Sequence, residues 1–451
     1  MKYLNFASYL LSGTTIVLIS ILNLNDLLFS YVLFGFILYI LVQKMFDDKT
    51  TKKIAILAYA YTSFIGVLLV WLHYEQFNMP FDVFGDDKRF FEWAQYYKDN
   101  LLSHSYSVYE KVLALLLRLF GSIGFKDNPE LLLPLNWMIL SLTIGLSYKL
   151  TLLVTKIRIP LYLFFLSIFL NYTFIQNSVH LYRDIYVSFF TILTIVYTLE
   201  KQYIKAILSS FGAGLFRLPN AIFALMIVGS KFFLDKKKTK FIIGIIFSSF
   251  IILAFIGMVK MNLHIGKYNL GNITSAVDTR ITTYIENIQE QSGGTAMLKK
   301  LPMIVQFPLN IPVQVIRPIK IENYFKPLRE RYSQLKLLNH RSLGWSITVL
   351  SMIILVGYYI RGLFLSVFIN TPNVRLFIFS FILLATVLGF LSFLDRNRVF
   401  LIPLFPTLIA LNFMNYKLST IQNVIMKNLN KMILSVLFLL IATFASIQGA
   451  Y

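Results

Sequence analysis

The stretch IAILAYAYTSFIGVLLVWL, Ile54–Leu72, holds nineteen residues and no charged side chain. An α-helix rises about 1.5 Å per residue, so a run of this length can cross a hydrocarbon core of about 30 Å. Similar stretches recur along the 451 residues, of which 57% are hydrophobic and only 14% are charged. The sequence therefore predicts an all-α fold, a polytopic transmembrane helical bundle, and excludes an ordinary soluble domain.

The apolar stretches predict about twelve spanning helices and one broken re-entrant hairpin. The segments Ile159–Ile175 and Val399–Met414 are each predicted to be a single crossing. The hairpin is predicted between two clusters of lysines that enclose too few apolar residues for two crossings. We expect it to bend near Gly212, Gly214 and Pro219, with Arg217 at the bend. Such a bend is tolerated at membrane depth where it is buried in protein or lines a wet cavity, so it indicates a site.

Charge predicts the orientation. The break before Ile54 contains Lys44, Lys49, Lys52 and Lys53, which places it in the cytoplasm by the positive-inside rule. The segment 74–100 then lies outside, and it carries six acidic and three basic residues in a chain whose net charge is +21. The first outer loop is therefore acidic in a basic protein.

These boundaries divide the chain into four parts. Residues 1–53 are predicted to form two extra N-terminal helices, and residues 54–259 a transmembrane core that includes the outer loop 74–100. Residues 260–341 are an extracytoplasmic loop, and residues 342–451 form C-terminal helices. Within the loop, the apolar element 301–319 contains four prolines, so it is predicted to lie at the interface and not to span.

Several function classes are excluded or disfavoured. The chain has no Cys, which excludes disulfides, thiol catalysis and zinc–thiolate sites. Its five His lack HExxH spacing, and no P-loop, GxGxxG or GxSxG motif occurs in a useful context. The basic charge is explained by cytoplasmic loops, so no nucleic-acid partner is expected. Because these motifs are missing, no cofactor and no dedicated metal site are expected either.

The first candidate site is the acidic segment FDVFGDDKRFFEWAQYY, Phe81–Tyr97. The adjacent carboxylates Asp86 and Asp87, with Asp82 before them, are candidates for a general base. A structural alternative is that the two Asp residues begin an interfacial helix whose aromatic face lies in the headgroup region. A divalent cation at Asp86 and Asp87 is the metal alternative that remains open.

The second candidate site lies at the outer end of two helices, where His180, Tyr182, Arg183 and Asp184 follow one another closely. Asp184 is expected to cap the helix that follows. Arg183 can hold a lipid phosphate through a bidentate contact, pair with Asp184, or extend to the headgroups.

Further arginines complete the set of candidates. Arg217 lies inside an apolar run, so it needs an anion or carbonyl oxygens nearby, either as an internal structural pair or as a contact to a substrate phosphate. Asp395, Arg396 and Arg398 are anchoring residues by default and phosphate ligands if they face a shared cavity.

Four segments in order resemble the GT-C superfamily, multi-pass glycosyltransferases that use polyprenyl-phosphate-linked sugars, such as protein mannosyltransferases and lipid A aminoarabinose transferases. They are GDDKRFFEWA in the first outer loop, LYRDIYVSFF at the start of a helix, FGAGLFRLPNAI in the hairpin, and the late RNRVFLIPLFPTLIAL. The resemblance covers about Ile54 to Met414. The chain departs from the family in two ways: two extra helices precede the acidic loop, and no large soluble domain follows the last helix. The second departure favours a glycan or lipid acceptor over a protein.

The resemblance implies an inverting transfer at the extracytoplasmic face of a bacterial inner membrane. The family's general base would fall on Asp86 or Asp87, with Asp82 as a third candidate. The phosphate-binding arginines would be Arg183, Arg217 and one of Arg396 or Arg398. The implied partners are a polyprenyl-phosphate-linked sugar donor, a cell-envelope glycan or lipid acceptor, and membrane lipid.

Two alternatives remain. An O-antigen or capsular polysaccharide polymerase acts on undecaprenyl-pyrophosphate-linked repeat units, and arginines and a late basic outer loop are expected to dominate its site. A lipid-linked oligosaccharide flippase would instead predict internal repeats and charges at mid-membrane, and neither is evident in the sequence.

Overall fold

The computed structural model describes residues 2–81, 86–101, 103, 108–234, 264–265, 268–269, 340–369, 371–391, 399–414 and 428–430. Within these ranges the fold is helical apart from one antiparallel pair of two-residue strands, β1 (His264–Ile265) and β2 (Tyr268–Asn269). The all-helical class is confirmed. The predicted element 301–319 and the last predicted helix lie outside the described residues.

The helices follow one another closely through the first half of the chain. They are α1 (Lys2–Ile21), α2 (Asn25–Met45), α3 (Lys49–Phe77), α4 (Asp86–Asp99), α5 (Val108–Ser122), α6 (Leu133–Thr155), α7 (Leu161–Ile168), α8 (Tyr172–Val179), α9 (Asp184–Leu199), α10 (Tyr203–Phe216) and α11 (Leu218–Leu234). Later in the chain lie α12 (His340–Phe368), α13 (Pro372–Leu391) and α14 (Phe405–Leu411). Short 3-10 helices, Pro129–Leu132 and Ile402–Leu404, precede α6 and α14.

Five of the described helices are long and apolar enough to cross a membrane. They cover Tyr3–Ile21, Asn25–Met45, Lys49–Glu75, Pro129–Thr155 and Leu350–Phe368. Their lengths agree with a membrane-embedded helical protein, as the apolar stretches predict. The total of about twelve crossings and the GT-C architecture remain predictions.

Helix α6 is the centre of the bundle and packs against α3 on one side and α9 on another. Nearly all of its residues are buried, including the whole side chain of Trp137. A Cβ atom on Gly66 of α3 would lie 2.5 Å from the Trp137 ring, so glycine is what allows the two helices to approach. Together α3, α6 and α9 provide the frame that holds the site.

The segment Ile159–Ile175, predicted to be a single crossing, is not one continuous helix, because two short helices, α7 and α8, occupy it. The backbone freed at the break is bonded by side chains of other helices. Tyr61 Oη donates to the carbonyl of Phe169 at 2.9 Å, and Thr348 Oγ1 accepts from the Tyr172 N–H at 2.8 Å. A break inside a bundle is stable when its polar backbone groups are satisfied in this way.

The crossing predicted for Val399–Met414 is also interrupted, since α14 covers only seven residues. Pro403 and Pro406 lie in the first turns of the 3-10 helix and of α14, where a missing N–H costs no hydrogen bond. Asn412 ends the helix, because its Nδ2 donates to the carbonyls of Leu408 and Ile409.

The hairpin predicted between the lysine clusters is present as α10 and α11, and the break falls at Arg217. Arg217 is extended, with φ −151° and ψ 105°. A Cβ on Gly214 would lie 2.6 Å from the Cβ of Ala221, so a small residue is needed where the two helices meet.

The bundle has two ends that differ in chemistry. At one end, which we call the cluster end, α3 and α10 finish and α6, α9 and α11 begin. At the opposite end, which we call the lysine end, α3 and α10 begin and α6, α9 and α11 finish. The candidate residues that the structure describes, Asp86, Asp87, His180, Arg183, Asp184 and Arg217, fall at the cluster end.

Candidate functional site

Polar side chains from separate elements gather in the interior at the cluster end. We call this group the polar cluster. Its members are His73 of α3, Asp87 of α4, Tyr109 and Glu110 of α5, Asn136 of α6, His180 of the connection between α8 and α9, Asp184 and Tyr186 of α9, and Arg217 between α10 and α11. All but Arg217 are buried. Burying so many polar groups is costly unless they bond to one another, so their contacts define the site.

Helix α4 begins at Asp86, as the structural alternative for the acidic segment predicts, but its aromatic residues Phe90, Phe91 and Tyr97 are buried in the protein and not exposed to headgroups. Two carboxylates in the first turn interact favourably with the helix dipole. The buried face follows helical spacing and consists of Asp87, Phe90, Phe91, Ala94 and Tyr97. Asp87 therefore points into the protein, whereas Asp86, one position earlier, is half-buried.

Asp87 bonds to two consecutive residues of the α8–α9 connection. Its Oδ2 lies 2.8 Å from His180 Nδ1, and its Oδ1 accepts a hydrogen bond from the backbone N–H of Leu181. The side chains of Asp87 and His180 are both 0% exposed. The carboxylate of Asp87 thus fastens the start of α4 to this connection.

Asn136 holds His180 from the other side. Its Nδ2 donates to the His180 carbonyl at 2.6 Å, and its Oδ1 accepts from Tyr186 Oη at 2.7 Å. The His180 ring also lies against two aromatic rings, with centroid distances of 5.4 Å to His73 and 5.1 Å to Tyr182. Both the backbone and the ring of His180 are therefore fixed.

Arg217 forms an ion pair with Asp184. The distance from Nη2 to Oδ1 is 2.7 Å, and the side chains are 23% and 4% exposed. An internal structural pair, one of the two alternatives for Arg217, is therefore present. The expectation that Asp184 caps α9 is wrong, because Asp184 is the first helical residue, the cap position belongs to Arg183, and no side chain bonds there. Its carboxylate turns to the guanidinium instead.

The phenol of Tyr109 interacts electrostatically with the carboxylates of Asp87 and Asp184. Burial raises the pKa of its phenol; a hydrogen bond from Asn136 lowers it, and the negative charges of Asp87 and Asp184 raise it again. Tyr109 therefore remains a neutral phenol. Its ring packs against Tyr186 and Phe216 at centroid distances of 5.2 and 6.3 Å, which links Asp87 to the Arg217 hairpin.

The structure brings together residues that lie far apart in the sequence. Of the predicted candidates, Asp87, His180, Asp184 and Arg217 are in the polar cluster, and Asp86 lies beside it. Arg183 is half-buried next to Asp184. The candidates outside the described residues are Asp82, Asp395, Arg396 and Arg398.

The sequence interpretation missed His73, Tyr109, Glu110, Asn136 and Tyr186. A usable signal exists for two of them. Asn136 is a lone amide among the apolar residues of α6, and His73 is the first polar ring after the uncharged stretch of α3. A polar group in such a run needs a partner, and that need could have marked both residues.

Metal ligands would require a denser group of donors. In the described part of the chain, no three His, Asp or Glu side chains gather as ligands of one ion would. A divalent cation at Asp86 and Asp87 stays an untested alternative.

Comparison with known proteins identifies no family for the chain. No protein-family profile, curated protein sequence or solved structure matches the chain.

Proposed function

We propose that the protein is an integral membrane glycosyltransferase of the GT-C type, which transfers a sugar from a polyprenyl-phosphate-linked donor to a cell-envelope glycan or lipid acceptor. The observation that carries the proposal is that the Asp87–His180 pair and the Asp184–Arg217 pair both lie in the polar cluster, at one end of a bundle that contains membrane-length helices. Such a transfer needs a base for the acceptor hydroxyl and positive charge for the departing phosphate.

Asp86 is the better candidate for the base. A general base must come within hydrogen-bond distance of the proton that it removes. Asp86 is half-buried at the start of α4, whereas Asp87 is fully buried and each of its oxygens is bonded to the α8–α9 connection. Asp86 and Asp87 therefore differ in how accessible they are to an acceptor, and their spacing in the sequence does not reveal this difference.

Arg217 is the candidate for the phosphate contact. A guanidinium presents five N–H donors in a plane, so it can pair with a carboxylate and a phosphate oxygen together. Arg217 is partly exposed and Asp184 fixes its orientation. Arg183, Arg396 and Arg398 remain proposed phosphate ligands.

The proposed reaction is one inverting displacement. The acceptor oxygen forms a bond to the anomeric carbon while its proton passes to Asp86. The bond from that carbon to the phosphate oxygen breaks, and its electron pair stays on the polyprenyl phosphate. Arg217 stabilises the negative charge that develops there, and the low dielectric of a buried site strengthens this interaction.

The charge distribution supports a cluster end that faces outward from a bacterial inner membrane. Positive charges concentrate at the lysine end, as the positive-inside rule requires of the cytoplasmic side. This set consists of Lys44, Lys49, Lys52, Lys53, Lys149, Lys156, Arg158, Lys201 and Lys205.

The test uses the purified protein in liposomes with an undecaprenyl-phosphate-linked sugar and an oligosaccharide acceptor. Product mass is followed for wild type, Asp86→Asn and the control Asp99→Asn, which removes an exposed carboxylate at the other end of α4. We expect addition of a single sugar, loss of at least about 100-fold in Asp86→Asn, and normal rates in the control.

Two results would contradict the proposal. Full activity of Asp86→Asn would remove the carboxylate mechanism at this residue. A ladder of repeat units made from a pyrophosphate-linked oligosaccharide would move the assignment to a polymerase.

A further inference from the structure

The two adjacent carboxylates of α4 are placed in different surroundings. Successive residues on a helix point about 100° apart, so the side chains of Asp86 and Asp87 leave α4 in different directions. Asp87 is on the buried face with Phe90, Phe91 and Ala94, and Asp86 is half-buried. Their roles must be considered separately.

Among the described residues, the hydrogen bonds of the Asp87 side chain lead to one short piece of chain. It bonds to His180 through the ring and to Leu181 through the backbone. The same connection carries Arg183, and it ends at Asp184, whose carboxylate holds Arg217 at 2.7 Å. A shift of this connection would therefore shift Asp184 and, with it, the guanidinium.

Hydrogen bonds also fix the tautomer of His180. An ionised carboxylate only accepts hydrogen bonds, so Nδ1 of His180 carries the hydrogen that it shares with Asp87. The other nitrogen, Nε2, is buried and has no hydrogen-bond partner among the described residues. Asp87 thus determines which nitrogen of a fully buried ring is protonated.

We infer that Asp87 and His180 are a positioning pair, which locks the α8–α9 connection and through it the Asp184–Arg217 ion pair, while Asp86 alone of the two carboxylates touches the acceptor. The catalytic part of this inference, the contact between Asp86 and the acceptor, rests on the proposed function. Asn136 supports the pair from the opposite side through the His180 carbonyl.

Asp87→Asn is the informative variant. The asparagine oxygen can still accept from the Leu181 N–H, and its amide nitrogen can donate to His180 Nδ1, provided that the ring hydrogen moves to Nε2. Both connections are then kept and the tautomer is inverted. Asp87→Ala removes both connections and leaves buried donors without an acceptor, so we expect a lower Tm and less folded protein.

The experiment compares Asp86→Asn and Asp87→Asn in the full chain in liposomes. We expect Asp87→Asn to keep kcat within about tenfold of wild type and to raise KM for the lipid-linked donor, whereas Asp86→Asn loses at least about 100-fold in kcat. A loss in Asp87→Asn as large as that in Asp86→Asn, with Tm unchanged, would make Asp87 itself the base and overturn the inference.

A spectroscopic measurement separates this inference from the proposed function. With ¹⁵N-histidine labelling, only five histidines contribute signals, and His180 is assigned by its loss in His180→Gln. For the neutral ring, we expect the Nδ1–H form in wild type and the Nε2–H form in Asp87→Asn. An unchanged tautomer would overturn the positioning pair, whether or not sugar transfer is detected. Failure of wild type to transfer any sugar, with the tautomer inverted as expected, would overturn the proposed function and leave the pair.

Discussion

Two ion pairs at opposite ends of the bundle, Arg217–Asp184 and Arg158–Asp48, differ in burial. At the cluster end, Arg217 meets a carboxylate that is only 4% exposed, and Asp87 is wholly buried against His180. At the lysine end, Arg158 is 65% exposed where it pairs with Asp48, and the same carboxylate caps α3 by accepting from the Thr51 N–H at 2.8 Å. Exposed pairs contribute little to stability, whereas buried ones constrain geometry. The comparison teaches that the buried pairs constrain the geometry of the polar cluster, whereas the exposed pair at the lysine end does not. The proposed function assigns the charge at the lysine end to orientation and the charge at the cluster end to the site.

The largest expected difference between the ends is their side of the membrane. Because the chain has no Cys, single cysteines are clean probes. Asp99→Cys near the cluster end and Gln202→Cys at the lysine end both replace exposed residues. We expect a membrane-impermeant maleimide to label Asp99→Cys in intact cells and Gln202→Cys only after permeabilisation. The reverse pattern would invert the proposed orientation.

The next difference is energetic. Arg217→Gln leaves the buried Asp184 without its ion pair, so we expect a loss of about 3 kcal/mol in the free energy of unfolding. Arg158→Gln at the lysine end should cost less than about 1 kcal/mol, because that pair is exposed. Denaturant titration of the two variants in the same detergent checks the contrast. Equal losses in the free energy of unfolding would show that the two pairs contribute equally to stability.

A smaller effect is expected at Asn136. Asn136→Leu removes the amide between Tyr186 and the His180 carbonyl, so we expect a loss of about 1 to 3 kcal/mol. The matched change Thr151→Val, near the lysine end, removes a hydroxyl bonded to the Ser147 carbonyl at 3.0 Å and should cost about 1 kcal/mol. Thermal unfolding distinguishes the two, and an Asn136→Leu variant as stable as wild type would exclude a structural role for the amide.

Much of the fold could be predicted from the sequence because hydrophobic length and charge are local properties. The stretch of α3, the start of α4 at the Asp pair and the break at Arg217 all follow from composition and spacing. The interruption between α7 and α8 could not be predicted, since it depends on Tyr61 and Thr348, which arrive from distant helices to satisfy the freed backbone.

Some residues of the candidate site could be predicted from the sequence, but others were missed and the pairings could not be predicted. The carboxylates and Arg217 stand out as charges among apolar neighbours, which is a local signal. Which of Asp86 and Asp87 faces inward depends on how α4 packs, and the partnership of Asp87 with His180 joins residues 93 positions apart. Long-range contacts of this kind have no local signature in one sequence.

The measurement that tests the central claim most directly compares two double variants, each of which neutralises one ion pair and keeps the net charge. Asp184→Asn/Arg217→Gln acts at the cluster end and Asp48→Asn/Arg158→Gln at the lysine end, where Asn can still cap α3. Transfer of sugar from the undecaprenyl-phosphate-linked donor is followed by product mass in liposomes. We expect the first variant to lose at least about 100-fold in rate and the second to match wild type. Equal activity of the two variants would contradict the claim that the cluster end carries the chemistry.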